Sequence, residues 1–364
     1  MKKIIKPFLY PIWLIYGLVI FIRNKLFDFK IFKSHEFHLP IISVGNITIG
    51  GTGKTPHAEY LIRLLKDEFK LAFLSRGYKR KTRDFIVATE QSSAATIGDE
   101  PLQVKRKFPE MIVAVDRKRV NGINKLIENV PDLDIILLDD AYQHRSVNPG
   151  INILLIDYNQ PLKGDALLPI GRLREPVSEK ERADIIIVTK VPRDISAMDK
   201  RLFLLNIDAK THQKVYFSTI RYGALKPVFG AEVSEKNPIL DEKKTYTVLL
   251  VTGIADPSVI INHFKPICKE VIPISFPDHY AFSQKDVTSI VEKFNAIPGS
   301  DKIIVTTEKD AVRLIFYDAP ENLSEAWYYL PIEVEFLPNE GELFNHQILQ
   351  YVKNNNRNSI LYKK

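Results

Sequence analysis

The chain has 364 residues, 45% of them hydrophobic, and carries a net charge of +7. Such a length holds one large α/β domain and a smaller one in an ordinary globular composition, and the single Cys268 excludes an internal disulfide or a Cys-rich zinc site. The positive balance favours an acidic partner without choosing among nucleic acid, anionic lipid and a phosphorylated substrate, and the cysteine usage reads as cytosol-facing.

The first element is an uncharged apolar run from Phe8 to Ile22, with Lys2, Lys3 and Lys6 before it and Arg23 and Lys25 after it. As a helix this run covers roughly 22 Å, short of the ~30 Å hydrocarbon core. It therefore reads as a monotopic helix lying in the membrane interface, with its basic flanks on anionic headgroups. A buried core helix is the plainer alternative. No small-residue cleavage site follows, so the segment is expected to be retained.

From Pro40 onward, short apolar runs alternate with segments of helical period, the pattern of a parallel sheet with crossover helices. Strands are expected at Ile41 to Val44, Leu71 to Ser75, Met111 to Val115, Ile135 to Leu138, Ile153 to Ile156 and Ile185 to Thr189. Helices are expected over Thr55 to Glu68 and Lys118 to Asn129. The strand-like stretch Val215 to Ile220 leads into a looser region, Tyr222 to Pro238, where a domain boundary is placed. A second α/β set follows, with strands at Thr247 to Thr252, Val271 to Ser275 and Lys302 to Thr307, and a polar, frayed tail from Asn354. The expected architecture is α/β: a P-loop NTPase-like, doubly wound, mostly parallel sheet, a smaller α/β domain and an N-terminal membrane-docking helix. The divisions are 1–35, 36–221 and 222–364.

The strongest chemical signal is the run Gly50-Gly51-Thr52-Gly53-Lys54-Thr55, which follows a strand and opens a helix. That context is the one a P-loop requires. Its glycines let backbone N–H groups approach phosphate, Lys54 bridges β- and γ-oxygens, and Thr55 binds Mg²⁺. Thr48 stands where the strict pattern has its first glycine. An apolar strand ending in Asp139 and Asp140 reads as the Walker B carboxylates, catalytic as metal ligands beside Thr55. Gln143, His144 and Arg145 follow, as metal neighbours, substrate contacts or packing. At Gly98-Asp99-Glu100-Pro101 a carboxylate either caps the next helix or acts at the phosphates, and the residues alone leave this open. Arg76 and its basic neighbours, and Arg172 and Arg174 ahead of Glu175, are solvated loops or sites of phosphate capture.

Taken together, seven motifs in order resemble the tetraacyldisaccharide 4'-kinases, the lipid A 4'-kinases of Gram-negative bacteria. They are Val44-Gly45-Asn46 with the P-loop, Leu74 to Tyr78, Gly98 to Pro101, Leu138 to His144, Leu173 to Pro176, Asp278-His279-Tyr280 and Thr307 to Asp310. The resemblance covers nearly the whole chain. Ala141, Tyr142 and Tyr280 depart from the residues common there. It implies transfer of the ATP γ-phosphoryl to the 4'-hydroxyl of a tetraacyl glucosamine disaccharide 1-phosphate, with ATP and Mg²⁺ as cofactors. It also implies Asp99 as the base, assisted by His279; the reading of the residues themselves sets Asn46, Gly50, Gly51, Thr52, Gly53, Lys54 and Thr55 at the nucleotide and Arg76, His144, Arg172 and Glu175 near substrate. The implied location is the cytoplasmic face of the inner membrane, on an anionic surface, with no nucleic acid and no obligate protein partner. A membrane-docked P-loop ATPase or nucleotide switch acting on a partner is the alternative from another class.

Overall fold

A computed structural model describes residues 2–229, 245–254, 256–278, 280–318, 320, 323 and 325–362, with backbone alone for 2–8 and 356–362. The chain forms two units, Met1–Ile220 joined by Val334–Lys364, and Arg221–Glu333.

In the larger unit, strands β1 (Ile41–Gly45), β2 (Leu71–Ser75), β4 (Ile112–Val115), β5 (Ile135–Asp139), β6 (Ile151–Asp157), β7 (Ile185–Thr189) and β8 (Lys214–Tyr222) lie in the order β8-β7-β6-β1-β5-β2-β4. Their neighbours pair in parallel. The two-residue strand β3 (Ile86–Val87) runs antiparallel at one edge, and β14 (Ile332–Phe336) lies at the other. β1, β2, β5, β6 and β7 are buried at every position, which explains their unbroken apolar runs. Helices α2 (Lys54–Leu65) and α5 (Arg119–Asn129) turn Ala58, Leu61, Ile62 and Leu65, and Ile123 and Leu126, into the core. All seven parallel strands point their carboxyl ends to one edge, where open α/β sheets bind ligands.

The smaller unit has β10 (Thr247–Thr252), β11 (Glu270–Ser275), β12 (Lys302–Thr307) and β13 (Trp327–Leu330) in the parallel order β11-β10-β12-β13, with β9 (Lys226–Pro227) antiparallel at its edge. Wholly buried Trp327 centres one of its core clusters, with Phe294 and Leu314.

Three expectations need revision. The change of unit after Ile220 falls beside the expected boundary, but Val334–Lys364 returns to the larger unit, whereas the sequence reading gave all of 222–364 to the smaller domain. Helix α10 (Glu340–Tyr362) is the reason. It buries Phe344, Ile348 and Val352, and places Tyr351 Oη 3.3 Å from Ile41 N and Gln347 Oε1 2.8 Å from Tyr216 Oη. The tail expected to fray is the end of this helix, through Tyr362. Helix α1 spans Lys2–Asp28, 27 residues or roughly 40 Å. Its stretch Leu9–Asp28 is long and apolar enough to cross a membrane, so the length argument against spanning fails. That argument stopped at the first charged residue, Arg23, which the helix accommodates against the protein.

Candidate active site

The glycine-rich loop leaves β1 at Gly45 and opens α2 at Lys54. Gly45 has a steric cause: a Cβ there would stand 2.7 Å from the Cβ of Tyr142, so only glycine lets β1 run beside the segment after β5. Gly53, at φ 87°, turns the chain left-handed into the helix, a conformation that glycine adopts without penalty. Thr189 Oγ1, at the end of β7, donates to the Thr52 carbonyl at 3.0 Å. His57 braces the first turn, with Nδ1 2.7 Å from the Gly53 carbonyl and Nε2 2.9 Å from Ser218 Oγ. Buried Asn46 accepts from Lys54 Nζ through Oδ1 at 3.4 Å. The exposed Gly50 and Gly51 offer open backbone for a phosphate chain, since no atom lies within 4 Å of a Cβ built on either.

β5 ends in the two aspartates. Asp139 is buried, and Ser75 Oγ, at the end of β2, donates to its Oδ2 at 3.2 Å. Its Oδ1 has no hydrogen-bond partner among the described residues. Burial, with the negative charges of Glu100 and Asp140, pushes its carboxyl up to about 7. Asp140 lies 3.6 Å from Lys54 Nζ and takes Arg174 Nη1 at 3.3 Å on both oxygens. Burial opposes its ionisation, but Lys54, Arg174 and Arg119 outweigh that and hold it below the usual carboxylate range. Asp140 also sits at φ 43°, a left-handed conformation worth about 1–3 kcal/mol of strain for a non-glycine residue. An orphaned, buried carboxylate oxygen beside Lys54 suits a divalent cation. Among the described residues no group of three or more His, Cys, Asp or Glu gathers for a metal; Mg²⁺ takes one or two carboxylates and completes its shell with phosphate and water.

The Leu173 to Pro176 segment folds onto this loop. Arg174 N donates to the Ile47 carbonyl at 2.7 Å and Ile49 N to the Arg172 carbonyl at 2.8 Å, an antiparallel pairing beside Thr48. Arg174 is thereby aimed at Asp140. Glu175 is wholly buried, an ion-pair hub with Arg182 at 2.6 Å and Arg23 at 3.4 Å, and Gln143 Nε2 donates to it at 3.4 Å and to the Asn46 carbonyl at 2.8 Å. The Arg172 side chain turns to Asp165 at 2.9 Å instead of to the carboxylates.

Asp99 is the first residue of α4 (Asp99–Lys107), and the residue at the N-cap is Gly98. The loop before it lies against the one after β2: a Cβ on Gly98 would meet the Tyr78 carbonyl at 3.0 Å, and one on Gly77 the Ile97 carbonyl at 2.7 Å. Glu100 consequently acts on Asp139 through its charge. His144 is pushed down to about 3 by burial and by the charges of Arg119 and Arg76, so its imidazole is neutral at physiological pH. Arg76 itself is exposed. Position 279, the expected partner histidine, lies outside the described residues. In the smaller unit, Thr307 caps α9 (Glu308–Leu314) by accepting from Asp310 N at 3.1 Å. Wholly buried Asp310 accepts from Gly253 N at 2.8 Å and Arg313 at 3.0 Å, and Lys309 stands 3.9 Å from Asp278. That motif clamps the loops of its own unit.

Sequence reasoning missed Arg119, which is buried and donates to the carbonyls of Asp116 at 2.7 Å and Asp139 at 2.9 Å. It also missed Ser75 as a partner of Asp139 and Arg182 as the main cation on Glu175. Strand order brings Ser75 and Arg119 to the carboxylates, whereas Arg182 reaches Glu175 from seven residues along the chain.

A glycine-rich loop between strand and helix, with a lysine and strand-end aspartates at the carboxyl edge of a parallel sheet, defines the P-loop class of nucleotide-binding α/β proteins. Residues 5–353 match the family model for tetraacyldisaccharide-1-P 4'-kinase. The chain is 48% identical over 360 residues to a tetraacyldisaccharide 4'-kinase of Phocaeicola vulgatus, covering 98% of this chain and 97% of that one. It is 42% identical over 353 residues to that of Flavobacterium johnsoniae, covering 97% and 99%. The crystal structure of the "apo" form of LpxK from Aquifex aeolicus in complex with ATP superposes with a TM-score of 0.72 at 28% identity, over 96% of this chain and 99% of that one. The chain belongs to the tetraacyldisaccharide-1-P 4'-kinase family.

Proposed function

We propose that the protein transfers the γ-phosphoryl group of ATP to the 4'-hydroxyl of a tetraacyl glucosamine disaccharide 1-phosphate, working at an anionic membrane surface on its cytoplasmic side. The observation that carries this reading is the grouping of Lys54, Asp139, Asp140 and Arg174 at the open end of β1 and β5. The backbone amides of Gly50, Gly51 and Gly53, at the N-terminus of α2, favour the phosphate chain, and Lys54 neutralises its β- and γ-oxygens. Thr55, Asp139 and Asp140 would hold Mg²⁺, which when bound offsets the charge of the phosphates and orients them. Lys54 is already poised between Asn46 and Asp140, so it reaches the nucleotide by exchanging partners rather than by refolding.

A sugar hydroxyl keeps its proton at neutral pH, so transfer needs a positioned acceptor. Asp99 takes this role: it stands at the start of a helix whose preceding loop packs against the Ser75 to Tyr78 turn, beside the metal carboxylates. Glu100, the next residue of this motif, acts on Asp139 by charge, which supports the motif's closeness to the strand-end carboxylates. The substrate phosphate is assigned to the exposed cation Arg76, whose charge acts on neutral His144.

Membrane attachment rests on α1. Ile12, Leu14, Ile15, Leu18, Val19 and Phe21 are each more than half exposed, an apolar stripe that a soluble surface does not sustain. The opposite face carries Tyr16, Arg23 and Asn24 to the protein: Tyr16 Oη donates to the Arg174 carbonyl at 2.8 Å, and Arg145 donates to the Asn24 carbonyl at 3.1 Å. A helix held along one side by its own domain lies in the interface rather than across the bilayer. The test is incubation with radiolabelled ATP and a tetraacyl disaccharide 1-phosphate in detergent, followed by chromatography. Labelled lipid supports the reading, and ATP hydrolysis without labelled lipid rejects it in favour of a nucleotide switch.

A further inference from the structure

The inner face of α1 does more than rest on the protein. Its polar contacts end on the two segments that carry the phosphate-site groups. Tyr16 Oη holds the carbonyl of Arg174, whose amide pairs with Ile47 in the P-loop and whose guanidinium holds Asp140. Arg23 reaches Glu175 at 3.4 Å and also donates to the Gln143 carbonyl, while the Gln143 amide supports Asn46, the residue that accepts from Lys54. Arg145, five residues beyond Asp140, pairs with Asp28 at 2.7 Å. Two threads therefore run from the helix to the site, one through Arg174 to Asp140 and one through Gln143 and Asn46 to Lys54.

A membrane anchor needs none of this. Its apolar stripe faces outward, and a helix serving only as a tether can join its domain through a loose linker. These contacts instead bring charged groups into buried positions: Glu175 is wholly enclosed, so the Arg23 guanidinium that reaches it answers a charge that burial would otherwise penalise.

We infer that α1 is a built-in part of the phosphoryl-transfer site, with Tyr16 and Arg23 as positioning residues that hold Arg174, Asp140 and Asn46 in register for the reaction. Neither residue touches the reacting atoms. Their effect passes through the Leu173 to Pro176 segment and Gln143, so the seating of the helix on its own domain sets the order of the nucleotide site, separately from the outward stripe. The inference rests on the kinase reading, and the two fail separately: a wild-type protein that labels no lipid defeats that reading, whereas the inference is judged on the variants of a wild type that does.

The experiment compares full-length wild type with Tyr16→Phe, Arg23→Gln and Arg23→Lys in detergent micelles, where membrane docking is not required. It measures kcat, KM for the disaccharide lipid, affinity for a fluorescent ATP analogue, thermal midpoint, and sedimentation with vesicles of phosphatidylethanolamine and phosphatidylglycerol. Arg23→Gln is expected to lower kcat by about tenfold or more while ATP affinity stays within about threefold, since a small misplacement of catalytic groups acts on rate before binding. Arg23→Lys should recover part of the loss, Tyr16→Phe should fall less in the same sense, and all three should still sediment with vesicles. A kcat within about twofold of wild type for both Arg23→Gln and Tyr16→Phe overturns the inference. So does a loss seen only as release from vesicles, or a fall in kcat matched by equal falls in ATP affinity and thermal midpoint, which would make the contacts supports of the fold alone.

Discussion

Arg174 Nη1 stands 3.3 Å from each carboxylate oxygen of Asp140, the residue that follows the buried strand β5. Lys54 first, then Arg174 and Arg119, keep Asp140 ionised while burial works against it. Arg174→Ala is expected to lower kcat by about 10- to 100-fold, the loss of one charge-assisted hydrogen bond at the reacting end. Arg174→Lys should recover only part, because an ammonium replaces a planar fork by a point charge. Steady-state kinetics across a Mg²⁺ titration checks this, and an unchanged kcat in Arg174→Ala would show the pair to be incidental.

Asp99 is expected to matter to rate and little to nucleotide binding. Removing a general base costs about 10²–10⁴-fold, whereas Lys54, Thr55 and the strand-end aspartates remain to hold ATP. Asp99→Ala should therefore lose kcat by that order with ATP affinity nearly intact. A large loss of ATP affinity in the same variant would move this carboxylate to the metal.

The P-loop and the Asp139–Asp140 pair are legible in the sequence because each is contiguous and sits at a strand end that apolar runs announce. The parallel sheet was legible for the same reason: its strands are buried on both faces and read as unbroken hydrophobic runs. What sequence could not reveal is lateral. Glu175 and Arg182 are seven residues apart, but Arg23 joins them from 152 residues away. Arg119 reaches the carboxylates only because the sheet order sets β5 beside β2 and β2 beside β4, the strand before its helix. The return of α10 to the larger unit was hidden for a related reason, since its apolar face of Phe344, Ile348 and Val352 declares a helix but not its partner sheet.

His57 makes the nucleotide domain sensitive to acid. Burial lowers its pKa from an ordinary 6.5 to about 4, against the hydrogen bond to the Gly53 carbonyl, which raises it. Between those values the unfolded chain binds a proton that the folded one refuses. Its contribution to stability is thus complete above about pH 6.5 and is lost as pH falls toward 4, by about 3 kcal/mol in all. Urea unfolding at several pH values should show this slope in the wild type and a shallower one in His57→Gln. Equal slopes would mean that the ring takes up its proton in the folded state without penalty.

The outward stripe of α1 is expected to bind vesicles independently of chemistry. Leu14 and Leu18 stand one turn apart and are each more than half exposed. Burying a leucine side chain is worth about 1.5–3 kcal/mol, so the double substitution Leu14→Ser, Leu18→Ser should weaken binding to anionic vesicles by about 10²-fold or more. Unchanged co-sedimentation would place membrane attachment on another surface.

Phosphoryl transfer to one sugar hydroxyl runs through the Lys54 and Asp140 site in this reading. The most direct measurement follows label from γ-radiolabelled ATP into two lipids, a tetraacyl disaccharide 1-phosphate with its 4'-hydroxyl free and the same lipid with that position already phosphorylated, using wild type and Lys54→Ala. Labelled product is expected from the free lipid alone, with a loss of at least about 10²–10³-fold in Lys54→Ala, as for removal of a group that stabilises transition-state charge. Label on the blocked lipid, or undiminished transfer by Lys54→Ala, would contradict this reading.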